Sequence, residues 1–274
     1  MKIDGKKIAD KILKLLKKKT EELCKKNITP HLAIILIGND PASSKYVEQK
    51  IDKAKLIGIE TSLFHLEKTD ENQMQVLIED LNKNLSVNGI IIQRPLPENI
   101  NENFARNIIN KAKDVDGFLK NSKFSEPIAE AVLEILKTIH VESKDKKSFN
   151  AWLKNKTCVV VGKGDTGGRP IINLFKKLGI TLLVVDSKTK NPRKIIKKAN
   201  ILISTVGKPI IFSNEVKKGA IVIGIGMHKG KNDKLYPDYN QKEIAEIASF
   251  YTPVPGGVGP VNVAMLLRNV IEST

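Results

Sequence analysis

Tyr46 and Lys50 lie four positions apart in the stretch SSKYVEQK, a spacing that brings two side chains together on an α-helix. Four residues correspond to about 40° of rotation, so the ring and the ammonium stand one above the other. The apolar residues Val47, Ile51 and Ala54 form a stripe beside them, which places the pair at the border of the buried face. A partly desolvated lysine can transfer protons near neutral pH. The pattern alone still favours a solvated surface lysine.

Three glycines follow the spacing of a dinucleotide-binding turn, Gly162-x-Gly164-x-x-Gly167. They lie between an apolar strand and a helix, where glycine lets the backbone approach a pyrophosphate at the helix N-terminus. Asp186 ends the next predicted strand, 22 residues after Gly164, where a carboxylate can bind a ribose 2′-hydroxyl. We therefore predict a nicotinamide dinucleotide site. The alternative is that the glycines serve only a tight turn.

Apolar strands alternate with helices in both halves of the chain, which is typical of parallel βαβ units. In the first half we predict a helix at about 6–25, a strand at 31–38, the helix of Tyr46 and Lys50 ending near Gly58, a strand at 60–66, a helix at about 71–85, a strand at 89–93 and a helix at about 126–140. In the second half we predict a strand at 157–162, a helix at 167–179, a strand at 181–186, a helix at 192–199, strands at 200–205 and 220–226, and a final helix at 260–274. The polar stretch VESKDKKSFN (141–150) between them is the predicted domain boundary.

The composition excludes several classes of protein. The longest apolar runs are strand-sized, so we expect no membrane span, and the basic N-terminal helix lacks the apolar core and cleavage site of a signal peptide. Two distant cysteines, Cys24 and Cys158, do not suggest a disulfide framework. The four scattered histidines show no metal-ligand spacing. We therefore expect a cytoplasmic protein without a metal.

The net charge of +16 raises the question of nucleic-acid binding. The lysines are spread over most of the chain, and aromatic residues make up only 5% of it, which leaves few rings for base stacking. We attribute the charge to solvated surfaces and expect no nucleic-acid partner. An anionic substrate would still gain some electrostatic steering.

Four motifs, in this order, resemble those of the bifunctional methylenetetrahydrofolate dehydrogenase/methenyltetrahydrofolate cyclohydrolase family: HLAIILIGNDPASSKYVEQKIDKAKLIGI, GIIIQRPLPENI, KDVDGF and TPVPGGVGP. The resemblance spans nearly the whole chain. It implies an α/β fold of two domains, an N-terminal α/β catalytic domain and a Rossmann-like parallel-sheet cofactor domain, with a C-terminal helix that returns to the first. On this basis we place the folate-binding catalytic domain at 1–143 plus 258–274 and the dinucleotide-binding domain at 144–257.

The same resemblance implies the roles of four residues. Lys50 is the catalytic lysine of both activities, Tyr46 stacks on the aminobenzoyl part of the folate, and Gln93 is the partner of the lysine. Asp116 holds the pterin, whose adjacent N–H donors suit a carboxylate. Two alternatives stay open: Gln93 satisfies backbone at a strand end, and Asp116 caps a turn before Gly117. The remaining implied contacts are to substrate at Ile92, Pro255, Gly256, Gly257 and Gly259, and to cofactor at Gly162, Lys163, Gly164, Gly167, Asp186 and Met227.

The implied reaction has two steps in one-carbon metabolism, which serves purine biosynthesis. Hydride leaves the methylene bridge of the folate for a nicotinamide, and the resulting methenyl cation adds water and opens to 10-formyltetrahydrofolate. The family cofactor is NADP. A homodimer is the implied assembly.

Several positions depart from the family pattern. The cofactor loop, usually Gly-Arg-Ser, reads Gly162-Lys163-Gly164, and Asp186 replaces a histidine. Arg94 follows Gln93 where an apolar residue is usual. Further departures are FSEPIA at 124–129 for the usual PCTPxG, Gly224 for an acidic residue, and Asn262 for a threonine.

The altered cofactor loop makes NAD possible. The usual arginine and serine suit a 2′-phosphate, which Asp186 would repel. Lys163, Lys188 and Arg193 lie near enough in sequence to neutralise that phosphate. Two other classes of protein remain as alternatives. One is a non-catalytic homologue that binds folate or nucleotide, and the other is a Rossmann dehydrogenase that acts on a small acid.

Overall fold

A computed structural model describes residues 1–230 and 234–274 of the chain. The helices are α1 (Gly5–Cys24), α2 (Pro41–Leu56), α3 (Glu71–Lys83), α4 (Glu102–Asn107), α5 (Pro127–Ser143), α6 (Phe149–Lys154), α7 (Gly168–Lys177), α8 (Pro192–Ile196), α9 (Gln241–Ile247) and α10 (Val258–Glu272). The strands are β1 (His31–Ile37), β2 (Glu60–Leu66), β3 (Gly89–Ile92), β4 (Cys158–Val161), β5 (Leu182–Val185), β6 (Ile201–Ser204), β7 (Ile221–Gly224), β8 (Met227–Lys229), β9 (Leu235–Pro237) and β10 (Phe250–Tyr251). Within this described part, no helix is both long enough and apolar enough to cross a membrane.

The chain divides into two compact units by packing. One unit consists of residues 10–127 and 263–274, and the other of residues 1–9 and 128–262. The predicted domain limits group residues 1–9, 128–143 and 258–262 with the first sheet, whereas packing groups all three segments with the second. The predicted domain limits therefore stay a prediction. They describe functional parts of the chain, and the limits of the compact units lie elsewhere.

The unit of residues 10–127 and 263–274 is built on a three-stranded parallel sheet with the strand order β2-β1-β3. Parallel strands covered on both faces read as continuous apolar runs, and β1 and β3 do so. Every residue of β3 is buried, as is all of β1 after His31. Met74 and Ile78 of α3 pack on one face of this sheet against Ile35 and Ile90.

Helix α2 has clear start and stop signals in the sequence. The side chain of Asp40 accepts a hydrogen bond from the Ser43 amide at 2.8 Å, and Pro41 takes the first helical position, where its missing N–H costs nothing. Gly58, with φ of +80°, follows the last turn. The helix therefore presents a fixed buried face to its unit.

The unit of residues 1–9 and 128–262 is built on a five-stranded parallel sheet with the order β10-β7-β6-β4-β5. The chain leaves β4 toward β5 on one side and then returns to β6 on the other. Such a reversal opens a crevice at the carboxyl ends of the central strands, which is where open α/β sheets bind ligands. In register, Val161 of β4 faces Val185 of β5 and Ser204 of β6.

A buried tyrosine fills the space above the end of β7. A Cβ atom built on Gly224 would lie 2.7 Å from Cε1 of Tyr239 and 2.8 Å from its hydroxyl. That hydroxyl donates to the carbonyl of Thr252 at 2.5 Å, and the Thr252 hydroxyl accepts from the Gly224 amide at 2.8 Å. The position at which the family carries an acidic side chain is therefore occupied by a ring.

The two-domain α/β fold with a Rossmann-like parallel sheet is confirmed, and so is the return of the C-terminal helix. Residues 263–274 belong to the unit of residues 10–127, where the Asn269 amide donates to the carbonyls of Val115 at 2.9 Å and Ser125 at 3.2 Å. The predicted strands end within two residues of the observed ones. Short elements were not predicted, namely α4, α6, α9 and β8 to β10.

Candidate active site

Lys50 lies in the buried face of α2 and not at its border. Its side chain is 7% exposed, and it is the one buried lysine among residues 1–230 and 234–274. It shares the buried stripe with Val47 and Ala54, while Ile51, predicted to belong to the stripe, is half-buried. The reason is a partner: Nζ donates a hydrogen bond to Oε1 of Gln93 at 2.9 Å. A buried ammonium is tolerated when such an acceptor compensates for lost water.

Gln93 follows β3 directly, so the sheet fixes its backbone. Its amide N–H donates to the carbonyl of Ile35 in the neighbouring strand at 2.8 Å. Its side-chain Nε2 donates to the carbonyl of Arg94 at 2.7 Å, which leaves Oε1 facing Lys50. The Gln93 side chain therefore has both expected roles. It donates to a backbone carbonyl at the end of the strand, and it accepts a hydrogen bond from Lys50.

Asp116 belongs to the same unit and interacts with Lys50 through its charge. Burial lowers the pKa of Lys50, and the Asp116 carboxylate partly opposes this. Burial raises the pKa of Asp116, which Lys50 and Arg94 oppose and Asp114 reinforces. Both pKa values are thus shifted toward neutral pH, as expected for groups that exchange protons.

The turn before Gly117 is capped by Asp114 and not by Asp116. The Asp114 carboxylate accepts from the amides of Phe118 at 3.1 Å and Leu119 at 2.9 Å, and its carbonyl accepts from the Gly117 amide at 3.1 Å. Both carboxylate oxygens of Asp114 are therefore used within this turn. The capping role that was considered for Asp116 therefore belongs to Asp114.

Tyr46 and an arginine cluster surround this pair within the same unit. The Lys50 ammonium lies 5.5 Å from the centroid of the half-buried Tyr46 ring. The Arg94 guanidinium lies over the Phe118 ring at 4.5 Å and forms an ion pair with Glu102. Ile92, the last residue of β3, is 5% exposed. Sequence reasoning did not assign Arg94 a role, because an arginine after a strand carries no signal of what it will stack against.

The turn of residues 253–257 is tightly held in the unit of residues 1–9 and 128–262. The Gly5 amide donates to the carbonyl of Gly256 at 2.9 Å, and Gly256 has φ of +94°. A Cβ atom on Gly257 would lie 2.4 Å from the carbonyl oxygen of Pro253. Pro255 lies in this turn, and Gly259 lies in the first turn of α10. Only glycine fits at 256 and 257, which is why the motif reads as it does.

The glycine-rich turn after β4 has two kinds of glycine. Gly162 has φ of +95°, and a Cβ atom on Gly168 would lie 2.0 Å from the Gly162 carbonyl oxygen, so α7 packs directly on the turn. Gly167 is the N-cap of α7, and its Cβ atom would lie 3.2 Å from the Thr205 side chain. Gly164 has nothing within 4 Å. Its open side leaves room for a ligand against the backbone.

A cavity of about 460 Å³ lies beside this turn, within the same unit. It is lined by Gly162, Lys163, Asp186, Arg193 and Val206, among others. Its volume falls within the range of about 300–1,000 Å³ that is usual for ligand pockets. The open backbone at Gly164, the cavity and the carboxylate at its edge fit a dinucleotide. Met227 lies next to this region, because a Cβ atom on Gly207 would be 3.1 Å from the Met227 carbonyl oxygen.

Asp186 is held by three neighbours. Lys163 Nζ contacts Oδ2 at 2.6 Å, and the Thr189 hydroxyl and the Lys188 amide each donate to Oδ1 at 3.0 Å. These hydrogen bonds, led by that of Lys163, lower the pKa of Asp186 to about 2. On the other side of the cavity, Arg193 pairs with Glu215 at 2.5 Å. The carboxylate is therefore ionised but already partly neutralised.

No three His, Cys, Asp or Glu side chains converge to hold a metal ion within residues 1–230 and 234–274. The residues that the sequence singled out instead form two groups. Lys50, Tyr46, Gln93 and Asp116 come together in one compact unit, and the glycine-rich turn, Asp186 and the 253–257 turn lie in the other.

Comparisons with known proteins agree with this arrangement. The curated bifunctional protein FolD of Agathobacter rectalis is 39% identical over 282 residues, covering 99% of this chain and 98% of its own. The crystal structure of the bifunctional enzyme FolD from Campylobacter jejuni matches with a TM-score of 0.91 and 33% identity, over 100% of this chain and 98% of that one. A FolD structure from Trypanosoma brucei, complexed with NADP cofactor and inhibitor, matches with a TM-score of 0.90 and 28% identity, over 100% and 96%.

Two family models together span most of the chain. Residues 3–116 match the catalytic domain of tetrahydrofolate dehydrogenase/cyclohydrolase, and residues 128–274 match its NAD(P)-binding domain. The first match contains the Lys50 group, and the second contains the glycine-rich turn. With both halves matched in order, the chain belongs to the tetrahydrofolate dehydrogenase/cyclohydrolase family.

Proposed function

We propose that this protein oxidises methylenetetrahydrofolate to methenyltetrahydrofolate with a nicotinamide cofactor and then hydrolyses the product to 10-formyltetrahydrofolate. The observation that carries the proposal is the buried Lys50 hydrogen-bonded to Gln93, with Tyr46 and Asp116 beside it. A lone buried lysine would destabilise its unit, so its retention with a dedicated acceptor points to chemistry.

Lys50 handles the proton in the hydrolytic step. Burial lowers the pKa of its amine, so a larger fraction is neutral near pH 7 and can accept a proton from water as the water attacks the methenyl carbon. Gln93 Oε1 aims the amine, because its own Nε2 is committed to the Arg94 carbonyl. Since glutamine cannot take up a proton, it orients the lysine without competing for the charge.

Asp116 and Tyr46 hold the folate. The carboxylate accepts adjacent N–H groups of the pterin, and the exposed part of the Tyr46 ring offers a stacking surface to the aminobenzoyl group. Ile92 adds apolar surface beside them. We assign the turn that contains Pro255, Gly256 and Gly257, together with Gly259, to substrate binding by similarity to the family.

The glycine-rich turn, Asp186 and Met227 would hold the cofactor, which supplies a hydride acceptor when bound. Gly164 leaves its backbone open to a pyrophosphate, and α7 begins directly behind the turn. Asp186 lines the same cavity, and we assign it to the ribose. The dehydrogenase step then depends on positioning, since no side chain need exchange a proton.

The proposal is tested by assaying the purified protein with methylenetetrahydrofolate and with methenyltetrahydrofolate, alongside Lys50→Met and Lys53→Met. Lys53 lies on the same helix with its side chain 43% exposed, so its replacement controls for loss of one charge. We expect Lys50→Met to lose hydrolysis while still binding folate, and Lys53→Met to keep both. Hydrolysis by Lys50→Met at the wild-type rate would overturn the assignment. A wild-type protein that binds folate without converting it would favour a non-catalytic homologue.

We further propose that NADP and NAD are used with relaxed selection. The family and the NADP bound to the Trypanosoma brucei relative favour NADP. Asp186 favours NAD, because an ionised carboxylate accepts a ribose 2′-hydroxyl and repels a 2′-phosphate. Lys163 and Arg193 flank the same cavity and offset part of this repulsion, since each can shift from its present carboxylate partner toward a phosphate.

Comparing kcat/KM for the two cofactors decides this point. We expect a ratio within about tenfold, which corresponds to 1.4 kcal/mol. Asp186→Ser should move the ratio toward NADP, since it removes the repelling charge and frees Lys163. Glu246→Gln, an exposed position on α9, controls for the change in net charge. A wild-type preference for NADP far above tenfold would show that Asp186 does not face the ribose.

By similarity to the family we propose a cytoplasmic homodimer. Light scattering coupled to size-exclusion chromatography would measure the mass of the assembly. A mass equal to that of a single 30.4 kDa chain would contradict the dimer.

A further inference from the structure

Asp238 is a carboxylate with no exposed surface, in the unit of residues 1–9 and 128–262. It directly follows β9, and three hydrogen bonds reach its side chain. The Ser204 hydroxyl donates at 2.5 Å, the Val206 amide at 2.9 Å and the Lys208 amide at 3.0 Å. All three donors lie within residues 204–208, which comprise the last residue of β6 and the loop that follows it and are called loop 204–208 below.

The backbone around Asp238 reinforces this attachment. Its carbonyl accepts from the amides of Ile210 at 3.1 Å and Ile211 at 3.0 Å, just beyond the loop. Gly226 makes room for the carboxylate, because a Cβ atom there would lie 2.4 Å from Oδ2 of Asp238 and 2.4 Å from the Gly207 nitrogen. The segment after β7 is therefore shaped to accommodate both the carboxylate and the loop.

The far side of loop 204–208 faces the dinucleotide crevice. Thr205 is tied to the last residue of β4, since its amide and its hydroxyl donate to the Val161 carbonyl at 2.9 and 3.0 Å. A Cβ atom on Gly162 would lie 2.5 Å from the Thr205 hydroxyl. Val206 lines the 460 Å³ cavity together with Gly162 and Asp186. The loop thus forms one wall of the crevice at the reversal point of the sheet.

A buried carboxylate is costly unless its lone pairs are satisfied. Here the satisfying groups are two backbone amides and one hydroxyl of the same five-residue loop, so the loop conformation and the carboxylate depend on each other. Within the described part of the chain, neither helix nor sheet hydrogen bonding accounts for the Val206 and Lys208 amides. A loop that lost Asp238 would have to rearrange to find other acceptors.

We propose that Asp238 is a positioning residue for the dinucleotide, which holds loop 204–208 from behind so that the wall of the crevice is formed before the cofactor binds. The inference rests on the proposed function, because the cofactor is that of the dehydrogenase step. It makes a separable prediction for hydrolysis. Lys50, Gln93 and Asp116 lie in the other compact unit, so hydrolysis measured without nucleotide does not require the loop.

The test compares Asp238→Asn with the wild type in three measurements: NADPH and NADH affinity by fluorescence titration, amide hydrogen exchange of residues 204–208 without nucleotide, and hydrolysis of methenyltetrahydrofolate without nucleotide. Asparagine keeps the shape but turns one acceptor into a donor that faces donors. We expect affinity to fall by about tenfold or more, exchange of the loop to accelerate, and hydrolysis to stay near the wild-type rate.

Tyr239→Phe is the matched control. Tyr239 is the next residue and is equally buried, but its hydroxyl donates to Thr252 and not to the loop. This variant should lose stability with unchanged affinity and loop exchange. Ser204→Ala removes a single donor, so it provides a milder test if Asp238→Asn does not fold, and it should weaken NADPH binding by a smaller factor.

Two results would overturn the proposal: wild-type affinity and loop exchange in Asp238→Asn or in Ser204→Ala, or an equal loss of affinity in Tyr239→Phe. Failure of the proposed function would look different. In that case the wild type itself would not convert folate, while the effect of Asp238 on NADPH affinity and loop exchange would still be measurable.

Discussion

At the scale of single residues, the two ionisable groups beside the Lys50–Gln93 contact affect each other. Burial lowers the pKa of Lys50, and the Asp116 carboxylate limits that shift. If the neutral amine is the active form in hydrolysis, the rate rises with pH through the pKa of Lys50. This rise occurs below the ordinary lysine value of 10.5.

Replacing Asp116 by Asn therefore has a predictable sign. The negative charge that stabilises the ammonium is lost, so the pKa of Lys50 falls further and the rising limb of the pH–rate profile for hydrolysis moves to lower pH. The maximal rate should fall as well, because the pterin loses its acceptor. Asp52→Asn, at an exposed position two residues from Lys50 on α2, should leave the limb in place. A limb unmoved in Asp116→Asn would mean that another group controls hydrolysis.

The sequence could predict these residues only in part. Spacing placed Tyr46 and Lys50 on one side of a helix, and the family resemblance supplied Gln93 and Asp116. Spacing could not show that Lys50 is buried, because burial depends on an acceptor that lies 43 positions away along the chain. Asp238 was missed for the same reason: its donors lie some 30 residues earlier, and no motif surrounds it.

At the scale of elements, glycines at the junction of β4 and α7 have two different functions. Gly168 allows the helix to pack closely on the turn, and Gly164 leaves open space beside the backbone. Gly168→Ala would place a methyl group 2.0 Å from the Gly162 carbonyl oxygen, so we expect a loss of about 1–3 kcal/mol in the free energy of unfolding. Gly164→Ala meets nothing within 4 Å, so its stability should change little. Its affinity for NADPH should still fall, because the added methyl group occupies the space left for the pyrophosphate.

Urea unfolding and NADPH titration of both glycine variants check this pair of expectations. A Gly168→Ala protein as stable as the wild type would contradict the close approach of α7 to the turn. Undiminished NADPH binding by Gly164→Ala would place the pyrophosphate elsewhere. Each variant serves as the control for the other, since both add the same methyl group at the junction of β4 and α7.

Strongly apolar strands were predictable, even when short, and short elements with exposed residues were not. β1 and β3 are buried on both faces, so their residues form unbroken apolar runs that sequence reading detects. β8 and β9 are three residues each, with most of their residues exposed or half-buried, and among residues 1–230 and 234–274 they form a two-stranded sheet of their own. Three residues are too few to show the alternation of apolar and polar residues by which a strand is recognised in a sequence.

At the scale of the whole molecule, the ends of the chain belong to different compact units. Residues 263–274 belong to the unit that contains Asp116, and Asn269 is a buried polar residue of this segment. Asn269→Leu would leave the carbonyls of Val115 and Ser125 without their donor, at a cost of about 1–3 kcal/mol. Because Val115 adjoins Asp116, we expect KM for the folate to rise in both activities.

Thermal unfolding and folate kinetics of Asn269→Leu test this expectation. Ser273→Ala is the control, because Ser273 only donates to Val270 near the end of the chain. A variant of Asn269 with unchanged KM would show that the last helix does not influence the segment of Asp116.

The domain border predicted from composition does not coincide with the limits of the compact units. The polar stretch 141–150 marks a break in composition, and the structure does change helices there, from α5 to α6. Packing nevertheless joins residues 128–143 to the second sheet. The apolar face of α5 does not specify in the sequence which sheet it will pack against. Composition therefore locates the loop between α5 and α6, but it does not locate the limit of a compact unit.

The ring of Tyr239 above Gly224 also constrains how this chain can change over time. A side chain at 224 would collide with the ring, so a substitution there should destabilise the unit while Tyr239 is present. A smaller residue at 239 removes the collision but opens a void and leaves the Thr252 carbonyl without its hydroxyl donor. Each single step therefore costs stability. A change from this pair to the acidic residue of the family pattern therefore passes through a less stable intermediate. A gain in stability elsewhere in the unit would offset that loss.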